Sequence, residues 1–179
     1  IAITEITSLL SRRSVYCSKF ANSKYSIIRF DNPEGNIIYK KTEHNWEGNR
    51  CKFCGASRIE LDRGPDSENY AYHFVHTDNP KEIFNLKFDV IIGNPPYQAN
   101  VGNSGGNRSK AKAIYHLFIN NAEKLKPRYI SMIVPSRWMT RSTEGIPSTW
   151  IDEHLESKKY KEMHDFLDAS KIFAGSPPK

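Results

Sequence analysis

The 179-residue sequence predicts an α/β protein built on a parallel sheet, and three observations carry that prediction. Phe88, Asp89, Val90, Ile91 and Ile92 form an apolar run with the length and β-branched content of a buried strand. Residues 111–125 set Ile114, Leu117, Phe118 and Leu125 on one helical face, and Pro127 stops that helix. Tyr129, Ile130, Ser131, Met132, Ile133 and Val134 then read as a second strand. Strand, loop, helix and strand in this order argue for a right-handed βαβ crossover.

The remaining elements follow in order. Residues 1–13 carry Ile3, Ile6, Leu9 and Leu10 at helical spacing. Residues 14–39 are polar and broken by Asn32-Pro33-Glu34-Gly35-Asn36, a turn signal that predicts a β-hairpin between residues 25–30 and 37–39. Residues 40–69 are irregular and charged. Tyr70 to His76 reads as a strand with an exit turn at Thr77-Asp78-Asn79-Pro80, and residues 80–85 as a short helix. Residues 98–108, rich in Asn, Gly and Ser, predict an exposed loop. A charged helix is expected over 152–166 and a further strand over 166–173. The natural divisions are residues 1–69, 70–175 and a short tail, 176–179. No internal repeat is present.

The strand at 88–92 leads through Gly93 into Asn94-Pro95-Pro96-Tyr97. Two prolines fix φ near −65° and restrict the residues before them, so this loop is shaped before any ligand arrives. Neither proline has an N–H, so the loop offers acceptors without adjacent main-chain donors. Such a site suits a planar –NH2 group. The Asn94 side-chain oxygen and the Pro95 carbonyl can each take one hydrogen, while Tyr97 stacks on the attached ring. The plainer alternative is a strand followed by an ordinary proline turn.

Lys and Arg number 26 against 20 Asp and Glu, a net charge of +6 that favours an anionic partner. No apolar run approaches the roughly 20 residues that span a bilayer, and residues 1–5 lack a secretory pattern, so a cytoplasmic protein without a membrane partner is expected. The missing initiator Met and the tail Ser176-Pro177-Pro178-Lys179 suggest a piece of a longer polypeptide. Cys51-Lys52-Phe53-Cys54-Gly55 has the turn and spacing of half a zinc knuckle. With Cys17 and His44 it would make a Cys3His zinc site, His73 or His76 being able to replace His44; reduced cytosolic thiols are the alternative. Any role of the metal would be structural or DNA-contacting.

Residues 88–97 resemble the catalytic signature of amino-methyltransferases that use S-adenosylmethionine. With the Gly-rich loop, Ile114-Tyr115-His116-Leu117-Phe118, Leu125-Lys126-Pro127-Arg128-Tyr129 and Ile133-Val134-Pro135-Ser136-Arg137-Trp138, the series resembles the adenine-N6 DNA methyltransferases of bacterial restriction-modification systems. The likeness covers roughly residues 70–175. It implies a doubly wound, Rossmann-like sheet with ligands beyond the carboxyl ends of its strands. It implies catalytic roles for Asn94, Pro95, Pro96 and Tyr97, acting on a flipped-out adenine in duplex DNA, and an associated restriction endonuclease domain or subunit. Asp78 occupies the position of an acidic residue that binds the cofactor's adenine; as a turn residue it could instead cap the helix at Pro80. Arg108, Lys110 and Lys112 follow the exposed loop and could hold phosphates, or simply be solvated. The family's glycine-containing cofactor turn has no counterpart before Tyr70, where Gly35, Gly48 and Gly64 lie in polar surroundings. The chain alone is therefore expected to be inactive. Competing expectations are methylation of ribosomal RNA or protein glutamine, and a non-catalytic DNA-binding fragment stapled by zinc.

Overall fold

The computed structural model describes residues 5–37, 43–61, 73–84, 86–100, 111–166, 168, 170 and 173. In chain order the elements are α1 (Glu5–Tyr16), β1 (Trp46–Glu47), β2 (Arg50–Cys51), α2 (Arg58–Leu61), β3 (Val90–Gly93), β4 (Gln98–Asn100), β5 (Ala111–Ala113), α3 (Tyr115–Lys124), β6 (Tyr129–Met132) and α4 (Ser148–Glu156). Single 3-10 turns lie at Pro80–Glu82 and Ser136–Thr140. None of the described helices is long and apolar enough to cross a membrane.

The βαβ unit forms as the sequence predicts. β3 and β6 pair in parallel, with Val90 opposite Tyr129 and Gly93 opposite Met132, and α3 is the crossover helix. Lys126, at φ 52, turns the chain out of α3 ahead of Pro127. Strand alternation sends Ile91, Ile130 and Met132 inward, against a cluster around Phe74, Ala122 and Leu125. Val90, Ile92 and Tyr129 point the other way and stay exposed. A second cluster, Ala113, Tyr115, Trp138, Ile146, Trp150 and Ile151, packs α4 onto α3. Trp150 Nε1 donates to Asn120 Oδ1 at 2.6 Å, so the indole is buried with its N–H satisfied.

Among the described residues the strands form three separate two-stranded sheets, narrower than the doubly wound sheet that the resemblance implies. Several boundaries also differ from the sequence expectation. Residues 73–76 form a turn, not the end of a strand; 70–72 lie outside the described residues. The reason is Asn121, whose buried Nδ2 donates to the carbonyls of Phe74 (2.6 Å) and Thr77 (3.4 Å), acceptors a neighbouring strand would otherwise use. The helix expected from residue 111 begins at Tyr115, because Ala111–Ala113 instead pairs antiparallel with Gln98–Asn100. The loop over 98–108 thus starts as a strand, and residues 101–110 lie outside the described set. The charged helix runs Ser148–Glu156 instead of 152–166, and Lys158 at φ 53 interrupts it. Residues 166, 168, 170 and 173 show no strand; the rest of that segment is outside the described residues.

Of the predicted hairpin, the described residues show the turn and no strand over 25–30. The chain from Ala21 to Asn36 wraps the buried ring of Tyr16, whose hydroxyl donates to Asn36 Oδ1 and accepts from Asn36 N at 2.9 Å. Gly35 allows this close approach, since a Cβ there would stand 2.5 Å from Tyr16 Oη at φ +63. Residues 38 and 39 lie outside the described residues. The helix α1 forms near its predicted place but with its faces reversed: Ser8, Arg12 and Tyr16 are buried, while Ile6 and Leu10 are 68% and 60% exposed.

Candidate functional site

The parallel ribbon delivers Asn94 to Tyr97 as an extended loop at the carboxyl end of β3. Both ends are tied: Ile133 N donates to Gly93 O at 2.9 Å, and Ile114 N donates to Tyr97 O at 3.1 Å. Pro95 is buried and Asn94 exposed, so the ring anchors the loop while the amide faces solvent. Tyr97 Oη donates to Asn94 Oδ1 at 2.8 Å. The phenol of this conformation therefore occupies the amide acceptor that the sequence reading reserves for an –NH2 group. Among the described residues no donor meets the Pro95 carbonyl. Tyr97 stands edge-on to Tyr115, with ring centroids 6.5 Å apart. Tyr115 is buried, and burial raises its hydroxyl pKa above the ordinary value. Gly145 and Glu144 close over the back of the loop's second anchor, Glu144 O accepting from Ala113 N at 2.9 Å.

Asp78 lies at a separate cleft of about 230 Å³, walled by Phe53, Val75, Leu117, Asn120, Lys124 and the knuckle residue Lys52. It does not cap the following turn, whose N-cap is Asn79 with no side-chain cap bond, so that alternative reading falls away. Its carboxylate is exposed, and Lys124 Nζ lies 3.4 Å from its backbone oxygen. Asn121 fixes the approach to Asp78 through its bonds to residues 74 and 77. Pockets for whole ligands of drug size run about 300–1,000 Å³, so this cleft is smaller than one.

The cysteine-containing segment folds as a knuckle. β1 and β2 make a minimal hairpin, after which Gly55 N donates to Cys51 O and Cys51 N to Ala56 O, both at 2.9 Å. Gly55 takes φ +69 in that turn. Cys51 Sγ lies 3.7 Å from His76 Nε2, and Cys54 Sγ lies 3.4 Å from His44 Nδ1. One donor atom from each of His44, Cys51, Cys54 and His76 falls within 4.8 Å of all the others. The Cys3His set is thereby corrected: Cys17 is exposed at the end of α1 and outside the group, and His76 takes the fourth place. The hydrogen bond with Cys54 holds the Cys51 thiol well below its ordinary range, helped by His44 and His76. The same bond, with burial, pushes Cys54 well above it.

Of the three basic residues proposed for phosphate contact, Arg108 and Lys110 lie outside the described residues. Lys112 sits on β5 with its ammonium 3.9 Å from Glu144. No sequence signal marks Phe53 and Lys52 as cleft walls, or Asn121 as the residue fixing 74–77. All three depend on distant segments meeting, and no spacing rule reports that.

The family profile described as Eco57I restriction-modification methylase matches residues 1–173. An uncharacterized adenine-specific methylase of Mycoplasma pneumoniae is 36% identical over 195 aligned residues, which cover 97% of this chain and 46% of that relative. The chain thus spans about half the length of the curated relative it matches. No solved structure matches it.

Proposed function

The chain belongs to the Eco57I restriction-modification methylase family, and from that premise we propose that it carries the amine-gripping part of a DNA methyltransferase acting on adenine N6. The observation that carries this reading is the loop Asn94 to Tyr97, anchored at both ends with its amide and phenol turned outward. An adenine entering this loop displaces the Tyr97 hydroxyl from Asn94. Its two N6 hydrogens then go to Asn94 Oδ1 and the Pro95 carbonyl. Held that way, the nitrogen lone pair is drawn out of conjugation with the ring and aimed along one direction. Orientation of this kind supplies up to ~7–11 kcal/mol in favourable cases.

A base inside a duplex does not reach such a loop and must be flipped out, at a cost of a few kcal/mol. Stacking on Tyr97 offsets about 1–3 kcal/mol of that. S-adenosylmethionine, when bound, supplies an electrophilic methyl group. The Asp78 cleft fits its adenine end: an exposed carboxylate accepts an exocyclic amine, and Phe53, Val75 and Leu117 offer an apolar bed. We take the substrate to be duplex DNA of a type II-like restriction-modification system in the cytoplasm, with an endonuclease domain or subunit as partner.

The test is transfer of labelled methyl groups to duplex DNA, RNA and peptide by the full-length parent protein. DNA labelling that disappears in Asn94→Ala, with DNA affinity retained, is the expected result. Unchanged turnover by Asn94→Ala overturns the role given to the loop, and labelling of RNA or peptide alone overturns the substrate.

A further inference from the structure

We propose that His44, Cys51, Cys54 and His76 bind a structural zinc ion that clamps the knuckle to the 73–78 segment and so builds the wall of the Asp78 cleft. The donor set and spacing both point there. Zinc bonds of about 2.3 Å to sulfur and 2.0–2.1 Å to nitrogen give a tetrahedron with edges of about 3.5 Å. Two of the four sulfur–nitrogen separations are 3.4 and 3.7 Å, and no two of the four donor atoms lie more than 4.8 Å apart, so a small inward shift of the side chains completes the tetrahedron. Two thiolates balance the charge of one Zn²⁺, leaving a neutral centre among three almost wholly enclosed residues (Cys51 2%, Cys54 4% and His44 8% exposed) and the half-buried His76. Four protein ligands fill a tetrahedral zinc, which makes the site structural. The mixed sulfur–imidazole set favours zinc over the oxygen-seeking magnesium or calcium.

Topology gives the ion its consequence. Three ligands come from residues 44–54, and the fourth, His76, from 22 positions beyond Cys54 in the segment that leads directly to Asp78. Lys52 and Phe53 occupy the two positions between the cysteines and line the same cleft as Val75, Thr77 and Asp78. Among the described residues the apolar contacts around this site are few: Cys51, Cys54 and Ala56 form a buried cluster with Trp46 and Phe53 packed against it. A core that small does not hold two loops in register, and a metal cross-link does. The metal site stands without the cofactor reading; only the use of the cleft draws on it.

The experiment uses the complete chain purified under reducing conditions without chelator. Elemental analysis should find one zinc per chain, retained in Cys17→Ser and lost in Cys51→Ser. Because Cys51→Ser could misfold, the wild-type protein exchanged into cobalt provides a second reading. A thiolate-to-cobalt charge-transfer band with tetrahedral d–d bands is expected. No bound metal, or an octahedral cobalt spectrum, overturns the site. Hydrogen exchange before and after chelation then reads the clamp. Amides of residues 51–55 and 74–78 should both exchange at least 10-fold faster after chelation, with β3 and β6 unchanged. Unaltered protection at 74–78 overturns the link to the cleft.

Discussion

Asn94 and Tyr97 illustrate what single residues decide. The loop was legible in the sequence because proline geometry is local: φ is fixed and the donors are absent wherever the chain goes. Its internal Tyr97–Asn94 bond was not legible, since it depends on a side-chain rotamer. That bond separates two substitutions in the parent protein. Tyr97→Phe keeps the ring and frees the amide, so DNA affinity should stay within about threefold of wild type, in line with the modest worth of one exposed hydrogen bond. Tyr97→Ala removes the stack and should weaken binding of the flipped base by roughly 5- to 150-fold; equal losses in both variants would refute the stacking role. His116 offers a second residue-level outcome. Burial, with the nearby His154, lowers its pKa from 6.5 to about 4. The unfolded chain therefore takes up a proton near pH 6.5 that the native chain refuses until about pH 4. Stability is present above pH 6.5 and falls as the pH drops through that window, by about 2 kcal/mol between pH 7 and 5. Urea titrations of wild type and His116→Phe at both pH values should show that loss in wild type only.

Elements were legible where an apolar pattern and its packing agreed. β3 and β6 pair in parallel with α3 between them, and Ile91, Phe118, Leu125, Ile130 and Met132 meet the Phe74 cluster. Val90 and Ile92, expected in a buried strand, stay exposed because the ribbon is covered on one face among the described residues. α1 was legible as a helix but not in its orientation. Tyr16, at its carboxyl end, recruits Asn36, Ala21 and Gly35, while Arg12 lies 3.8 Å from Glu34. Those contacts outweigh the stripe of Ile6 and Leu10. Residues 25–30 form no strand for the same reason: the turn exists, but Ile27 and Phe30 hydrogen-bond back to Tyr16 and Ala21. Burial likewise predicts how two isoleucines respond to substitution. Ile151, on α4, is 1% exposed, and Ile151→Ala should cost about 2–5 kcal/mol in denaturant unfolding of this chain. Ile92, on β3, is 78% exposed, and Ile92→Thr should change stability by less than about 0.5 kcal/mol. Comparable losses at both positions would mean that the outer face of β3 is covered in solution.

At the scale of the whole molecule, the sequence carried the chemical family and the knuckle but not the partnership between the knuckle and residues 73–78. Charge was legible as a sum, and its distribution was not: the partly exposed Lys112 lies 3.9 Å from Glu144. With a net charge of +6, duplex DNA binding by this chain should weaken steeply from 50 to 200 mM salt. Each phosphate contact contributes about −0.9 to the logarithmic slope. Lys112→Ala should flatten that slope by less than one contact, and a full unit of change would restore Lys112 as a phosphate ligand. The ribbon beneath the loop has a further consequence. β3 and β6 are four residues each and, among the described residues, pair only with one another. Two strands alone are marginal in water, and this ribbon gains its support from the helix α3 packed on its inner face, so the stiffness of Asn94's platform is set from beneath. Turnover of the parent protein should then respond to cavities opened around Ala122 and Leu125, even when every atom touching the target base is left in place.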